Sequence, residues 1–285
     1  MQIVTDQGAD LSPNQLEGVN VSFVPLRINF EGKTYENLDP AEFYEMLRKS
    51  PEYPTTSQPS VGDFVTLYQR LAQKDPEILS IHISSGLSGT VNSAQAAVPL
   101  VPDARVTVVD SRTLSCPLGW QVEAAARAIT RGWGLDRILP LLERIGEQAR
   151  GIFTLSNLKY LIHGGRISHL KGLVASLLNI KPIIGVERST GKYESYAQEI
   201  TLNRAITRMV DLMAEHYGEG SRVRVQLLHG LNPEAITLLR NAIERVFNAV
   251  FLPTLPVAPV LGAHTGPSLV GMSIGQMDLF EGLGQ

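Results

Sequence analysis

The sequence predicts an α/β protein of two domains. Residues 1–150 read as a three-layer α/β/α domain with a parallel sheet, and residues 151–285 as a two-layer α+β domain with a mixed sheet. Three observations carry this prediction. Short apolar runs at Gln2–Asp6, Ile78–Ile83 and Arg105–Asp110 alternate with stretches that are apolar at helical spacing. Parallel strands joined by crossover helices produce that alternation. After Arg150 the pattern changes, and Lys181–Glu187 and Tyr193–Gln198 read as a hairpin around Ser189-Thr190-Gly191. Finally, 285 residues with 44% hydrophobic and 19% charged side chains are enough to bury the cores of two ordinary domains.

The individual elements follow in order. Ser12 and Pro13 read as the N-cap and first residue of a helix. Val21–Phe30 is strand-like but interrupted by Pro25. Asp39-Pro40-Ala41-Glu42 starts a helix with Phe43, Met46 and Leu47 on one face. Pro54–Ser60 reads as a hydroxyl-rich loop, and Ser60 caps the helix that carries Phe64, Leu67, Tyr68 and Leu71. Helices are expected over Gln121–Thr130 and Asp136–Gln148. In the second half, Gly151–Leu155 reads as a strand and Ser156 as the cap of a helix with Leu158, Leu161 and Ile162. Leu170–Leu178 is apolar enough for a buried helix. Helix faces at Ile206, Met209, Val210 and Met213, and at Ile236, Leu239, Ile243 and Val246, alternate with strands at Val223–Leu228, Phe251–Leu255 and Leu269–Ile274.

Composition and motifs exclude several classes. The net charge of -3 gives no electrostatic footprint for nucleic acid. The N-terminal MQIVTDQGAD lacks the basic start and apolar core of a signal peptide, and no apolar run reaches the length of a membrane span. Cys116 stands alone, so no internal disulfide framework is possible. A soluble cytoplasmic protein is expected. No phosphate-loop or dinucleotide-binding pattern occurs, and the six histidines show no zinc spacing, so no metal or cofactor is expected. No nucleophile elbow occurs either. A Ser–His–Asp hydrolase built from Ser88, His264 and Asp6 or Asp110 stays open on residue types alone.

What remains is a set of neutral hydrogen-bond donors in three turns. The stretch Ile78–Ala94 is a strand, a Ser/Gly turn and a helix start, with Ser85, Ser88 and Gly89 in the turn. Glycines let the backbone approach a ligand, and a helix N-terminus favours an anion. Plain helix capping explains the same residues. Thr56 and Ser57 stand in the Pro54–Ser60 loop. His264 and Thr265 stand in the turn Gly262–Ser268 before the last strand. Hydroxyls, amides and one His suit a carboxylate, whereas phosphate sites usually recruit Lys or Arg, which these three turns lack.

Taken together, IVTDQGADLS, TSQPS, SSGLSGTVNSA, VVDSRTLS, YLIHGGRIS, KPIIGVE and HTGPSLVG, in that order, resemble the DegV family over nearly the whole chain. Gln7, Val91 and Ser268 depart from the usual residues of those motifs. The resemblance implies the fatty-acid-binding subunit of a bacterial fatty acid kinase. It implies two α/β domains, a buried acyl chain, and a carboxylate held by hydroxyls and a His. On this sequence Thr56, Ser88, Gly89 and His264 match the family's motif positions. The implied function is non-enzymatic: a long-chain fatty acid, the only ligand implied, is presented to a separate, dihydroxyacetone-kinase-like subunit that uses ATP to make acyl phosphate. Arg166, displayed by Gly164-Gly165, is a candidate for the kinase-docking surface. The alternatives are an acyl-ester hydrolase using Ser88 and His264, and a regulatory lipid-binding protein without a kinase partner.

Overall fold

The computed structural model describes residues 1–170 and 180–281. The apolar helix expected over Leu170–Leu178 lies, from Lys171 onward, outside the described residues. A first, four-stranded sheet has the order β2 (Val21–Val24), β1 (Gln2–Asp6), β6 (Glu77–His82), β7 (Arg105–Asp110), and every pair in it is parallel. Its strands are apolar on both faces. Val4 and Ile78 pack outward with Phe64 and Tyr68 of α3 (Val61–Ala72) and Ala94 of α4 (Thr90–Ala97). Ile3, Leu79 and Ile81 pack inward on α5 (Ser115–Thr130). Helices on both faces are what a parallel sheet requires.

The chain between β2 and β6 corrects one expectation. Val21–Phe30 is two strands in two sheets, because β3 (Arg27–Phe30) joins β4 (Lys33–Tyr35) and β5 (Thr55–Ser57) in a separate three-stranded sheet. Pro25 has no N–H to continue a ladder. The next amide, Leu26 N–H, donates to Gln7 Oε1 at 3.0 Å, and Gln7 Nε2 donates to the carbonyl of Glu36. The Pro54–Ser60 segment is therefore not only loop, since β5 lies antiparallel to β3 with Thr56 opposite Ile28. α2 (Pro40–Lys49), capped by Asp39, inserts Phe43, Tyr44 and Leu47 beneath this small sheet.

The second sheet is mixed, with β10 (Lys192–Glu199), β9 (Lys181–Glu187), β8 (Arg150–Thr154), β14 (Val270–Gln276), β11 (Arg222–His229) and β12 (Asn248–Phe251) in that order. The two residues of β13 (Leu255–Pro256) also pair with β11, so the strand expected over Phe251–Leu255 is split. One face packs on α8 (Leu202–Tyr217) and α9 (Pro233–Glu244) through Ile183, Val225, Met272, Met209 and Leu239. The two layers predicted here are present, but the opposite face is not free. It rests on α5 and on α6 (Leu135–Gln148), and α5 also closes the inner face of the first sheet. α5 starts six residues before its expected position. Its early residues Pro117 and Gly119 hide the start, although a proline in the first turn forfeits no helical hydrogen bond.

A buried polar network fixes this shared layer. Glu123 on α5 pairs with Arg224 on β11, and with Arg127 at 3.1 Å, and accepts from Gln15 Nε2 at 2.9 Å. Trp120 Nε1–H donates to Gln226 Oε1 at 3.0 Å. Removing one member of a buried pair strands the other charge. Glu123→Leu is expected to destabilise the protein by about 3–5 kcal/mol, and Glu123→Leu/Arg224→Met to recover much of that loss. Urea unfolding of the three proteins measures this.

Candidate functional site

In the first sheet the connections leave β1 toward β2 on one side and toward β6 on the other. Open α/β sheets bind ligands at such a reversal, beyond the C-terminal strand ends. Asp6 ends β1 and is fully buried. Its carboxylate accepts from Gly8 N–H at 2.8 Å and Ile83 N–H at 2.9 Å, and lies 2.9 Å from His82 Nδ1. His82 Nε2 continues to Ser80 Oγ, and Ser80 to Tyr68 OH. This Asp–His–Ser row is wholly buried, and none of its side chains lines the cavity that Ser88 faces or the one that Thr265 lines. It braces the loop after β6.

That loop is pinned on its far side as well. Ser84 Oγ donates to the Gly191 carbonyl at 2.7 Å, and a Cβ on Gly86 would lie 2.6 Å from the Thr190 carbonyl oxygen. The hairpin turn of the second sheet therefore packs directly on the first sheet's loop. Ser85 is exposed and donates to Asp110, away from the cavity. The cap of α4 is Gly89 rather than a serine, and a Cβ there would meet the Gln58 side chain. Ser88 faces a small cavity and hydrogen-bonds Thr90 Oγ1 at 2.8 Å.

His264 arrives from the other end of the chain. The expected turn is instead a short helix, α10 (Pro259–Thr265), begun by Pro259 and ended at Gly266 with φ 76°. His264 sits on its last turn, 8% exposed, with Nε2 2.7 Å from Thr56 Oγ1. Thr56 points inward because its partner Ile28 does, and strand alternation turns Ser57 outward. His264 Nδ1 faces Gly164 and has no hydrogen-bond partner among the described residues. Only glycine fits at 164, since a Cβ would stand 2.1 Å from that nitrogen. Gly164 follows α7 (Lys159–His163), whose cap is Leu158, with Asn157 rather than Ser156 accepting from the Lys159 amide. Burial, assisted by the nearby Arg166, pushes the His264 pKa down to about 3, so the ring is neutral at neutral pH.

Thr56, Ser88, His264 and Arg166 thus share one cavity of about 30 Å³ whose other walls are apolar, among them Ile83, Leu87 and Leu261. Arg166 donates to the carbonyls of Gly164 and Leu87. A fourth loop therefore brings a cation to donors that lack one in their own turns. Leu114, Tyr193 and Leu261 also line a second cavity of about 40 Å³, continuing between the sheets past Phe153, Leu228 and Met272. Thr265 lines this second cavity, with its hydroxyl donated to the Leu261 carbonyl at 3.1 Å. A larger open cleft of about 450 Å³ lies elsewhere, around Gln7, Glu36 and Asp39. Its acidic rim repels a carboxylate. Among the described residues no cluster of three metal-ligating side chains occurs, and no helix is long and apolar enough to cross a membrane. Arg166 and Tyr193 as cavity walls have no local sequence signal beyond the Gly-Gly before Arg166.

The fold and cavity define a class: a mixed α/β protein with polar side chains on a small, otherwise largely apolar cavity that shares walls with a second one. The chain belongs to the DegV family, matching the model described as "Uncharacterised protein, DegV family" over residues 1–276. It is 34% identical over 275 residues to the DegV domain-containing protein SA1258 of Staphylococcus aureus, covering 95% of this chain and 97% of that one. A solved structure described as fatty acid binding of a DegV family protein from Thermus thermophilus superposes with a TM-score of 0.86. It is 30% identical, with 97% of this chain and 99% of that one covered. The Streptococcus pneumoniae Fatty Acid Kinase (Fak) B3 protein, loaded with linoleic acid, shares the fold with a TM-score of 0.81 at 23% identity, covering 96% and 98%.

Two buried groups oppose each other in pH dependence. The unfolded chain protonates His264 near its ordinary value of 6.5, while the folded ring waits until about 3. Stability from this group is present above pH 6.5 and is lost as pH falls toward 3. Burial raises Asp10 from 3.8 to about 6, so its contribution runs the other way and is lost as pH rises through 6. His264→Asn is expected to flatten the acid-side loss, and Asp10→Asn to flatten the loss between pH 4 and 6. Thermal unfolding from pH 4 to 8 reads both.

Proposed function

We propose that this chain binds a long-chain fatty acid and presents its carboxylate to a separate ATP-dependent kinase subunit. The observation that carries the reading is the convergence of Thr56, Ser88, His264 and Arg166 on one largely apolar cavity. In this reading a first domain, residues 1–150, supplies Thr56 and Ser88, and a second, residues 151–285, supplies Arg166 and His264. With His264 neutral, Nε2–H donates to Thr56 Oγ1, which frees the Thr56 hydroxyl proton for a carboxylate oxygen. Thr90 can donate to Ser88 and free the Ser88 proton in the same way. Arg166 supplies the compensating charge. Each buried methylene contributes about 0.8 kcal/mol, so a long chain gains on the order of 10 kcal/mol before ordering costs. The fatty-acid description of the Thermus relative supports the ligand, and that of the Streptococcus protein supports a kinase partner.

The chain's own share of the chemistry is positioning. Phosphoryl transfer needs cations and donors around the moving phosphoryl group, and the partner, resembling dihydroxyacetone kinase, supplies them in the cytoplasm. The hydrolase alternative needs a carboxylate to orient the histidine. His264 instead bonds Thr56 through one nitrogen, and its other nitrogen has no partner among the described residues.

Thr56→Ala, Ser88→Ala and His264→Ala are each expected to weaken oleate binding by about 1.5–3 kcal/mol, the worth of a hydrogen bond to a charged group. Methyl oleate binding should change far less. Calorimetry with both ligands tests the head-group assignment, and equal effects on acid and ester would refute it. Separately, the protein with oleate and ATP is expected to yield no hydroxylamine-trappable acyl phosphate until a kinase subunit is added. Product from this chain alone would make it the enzyme, and ester cleavage lost in Ser88→Ala would favour the hydrolase.

A further inference from the structure

The strand β14 has two unlike faces. Val270, Met272 and Ile274 pack against α8 and α9, while Gly271 and Ser273, with part of Met272, line the cavity between the sheets. Small residues on that face leave room for a ligand. Ser273 is not merely small. It is 1% exposed, and its hydroxyl has no hydrogen-bond partner among the described residues.

The polar neighbours do not resolve this. Ser115 Oγ, on the same cavity, is donated to Asp10 Oδ2 at 2.5 Å, and the Thr265 hydroxyl to Leu261. Cys116 lies close to both serines, and burial keeps it a neutral thiol, a weak acceptor. A buried hydroxyl without a partner in a native protein calls for an explanation. The position along the cavity supplies one. The Ala258 amide, at the N-terminal end of α10, donates to Asp10 Oδ1, and Asp10 in turn holds Ser115. His264 is six residues further along α10, so the Ala258 amide that holds Asp10 lies ~9 Å from the His264 end of the helix at the helical rise per residue. The cavity lined by Ser115 and Ser273 shares Leu114, Tyr193 and Leu261 with the cavity lined by His264, so an acyl chain held at His264 and continued into it would meet the serines beyond its carboxylate.

We propose that the cavity selects an acyl chain carrying an oxygen partway along it, a hydroxylated or similarly oxygenated fatty acid, with Ser273 Oγ–H donating to that oxygen. This rests on the fatty-acid reading above and narrows its substrate class. The cavity of about 40 Å³ also has room for a water molecule on Ser273, which is the competing explanation.

The test is competition binding of octadecanoate, 10-hydroxyoctadecanoate and 12-hydroxyoctadecanoate to the parent protein and to Ser273→Ala. Ser273→Thr and a thermal unfolding scan control for damage to the fold. The expected result is a preference of roughly tenfold for one hydroxylated isomer, lost in Ser273→Ala and kept at least in part in Ser273→Thr, with octadecanoate binding unchanged or tighter in the Ala variant. Identical ranking of the three acids by the parent and Ser273→Ala overturns the proposal and leaves a bound water as the hydroxyl's partner. If no acid binds the parent at all, the fatty-acid reading falls, and this one with it.

Discussion

The helix α5 is packed against both sheets at once, and the architecture depends on that sharing. Its inner residues are buried almost along the whole length, including Trp120, Val122, Ala125 and Ala128. Neither sheet alone could cover such a helix, so each half of the chain completes the core of the other. The Glu123–Arg224 pair and the Gln15–Gln226 contact add register to this arrangement, because buried charges and amides tolerate only one set of partners. The consequence for function is direct. A crevice between two sheets that must stay in register has walls of fixed spacing.

The walls of that crevice are set by what is missing as much as by what is present. Gly164 admits the His264 ring, Gly86 admits the hairpin turn, and the small face of β14 leaves depth beneath Leu261. The polar end is assembled from a strand, a loop after a strand, a helix end and a turn. Polar groups so assembled are oriented by four backbones, and binding of any ligand there need not order them afterwards. Desolvation keeps His264 neutral, so the cavity carries one cation from Arg166 and otherwise neutral donors.

Much of the fold was legible because periodicity survives tertiary context when an element is long. The faces of α3, α8 and α9, and the strands β1 and β6, follow the burial that their spacing predicts, whereas β7, at the edge of its sheet, is only half-buried. The failures are short elements. β5 has three residues and exists through pairing with β3, while α10 has seven and is wedged among α2, α7 and β3. Local sequence sees only prolines, hydroxyls and glycines there, which read as turns. The candidate residues Thr56, Ser88 and His264 were visible by type and by family resemblance, and the structure brings them to one cavity. Ser57 and Ser85 carry the same chemistry but point elsewhere, since side-chain direction depends on partners far along the chain. Arg166 was assigned to a surface because nothing local ties it to a cavity formed by β5 and α10.

The hydrogen bond between Thr56 and His264 spans 208 residues of sequence. Chains emerge from the ribosome N-terminus first and begin folding as they do so. Thr56 and Ser88 are therefore synthesised while His264 is still unmade, and the strand β14, which floors the cavity, follows later still. A nascent chain offers hydroxyls without the histidine and an apolar crevice without its floor, open to water and to its neighbours. The cavity that Thr56, Ser88 and His264 share is complete only in the finished polypeptide.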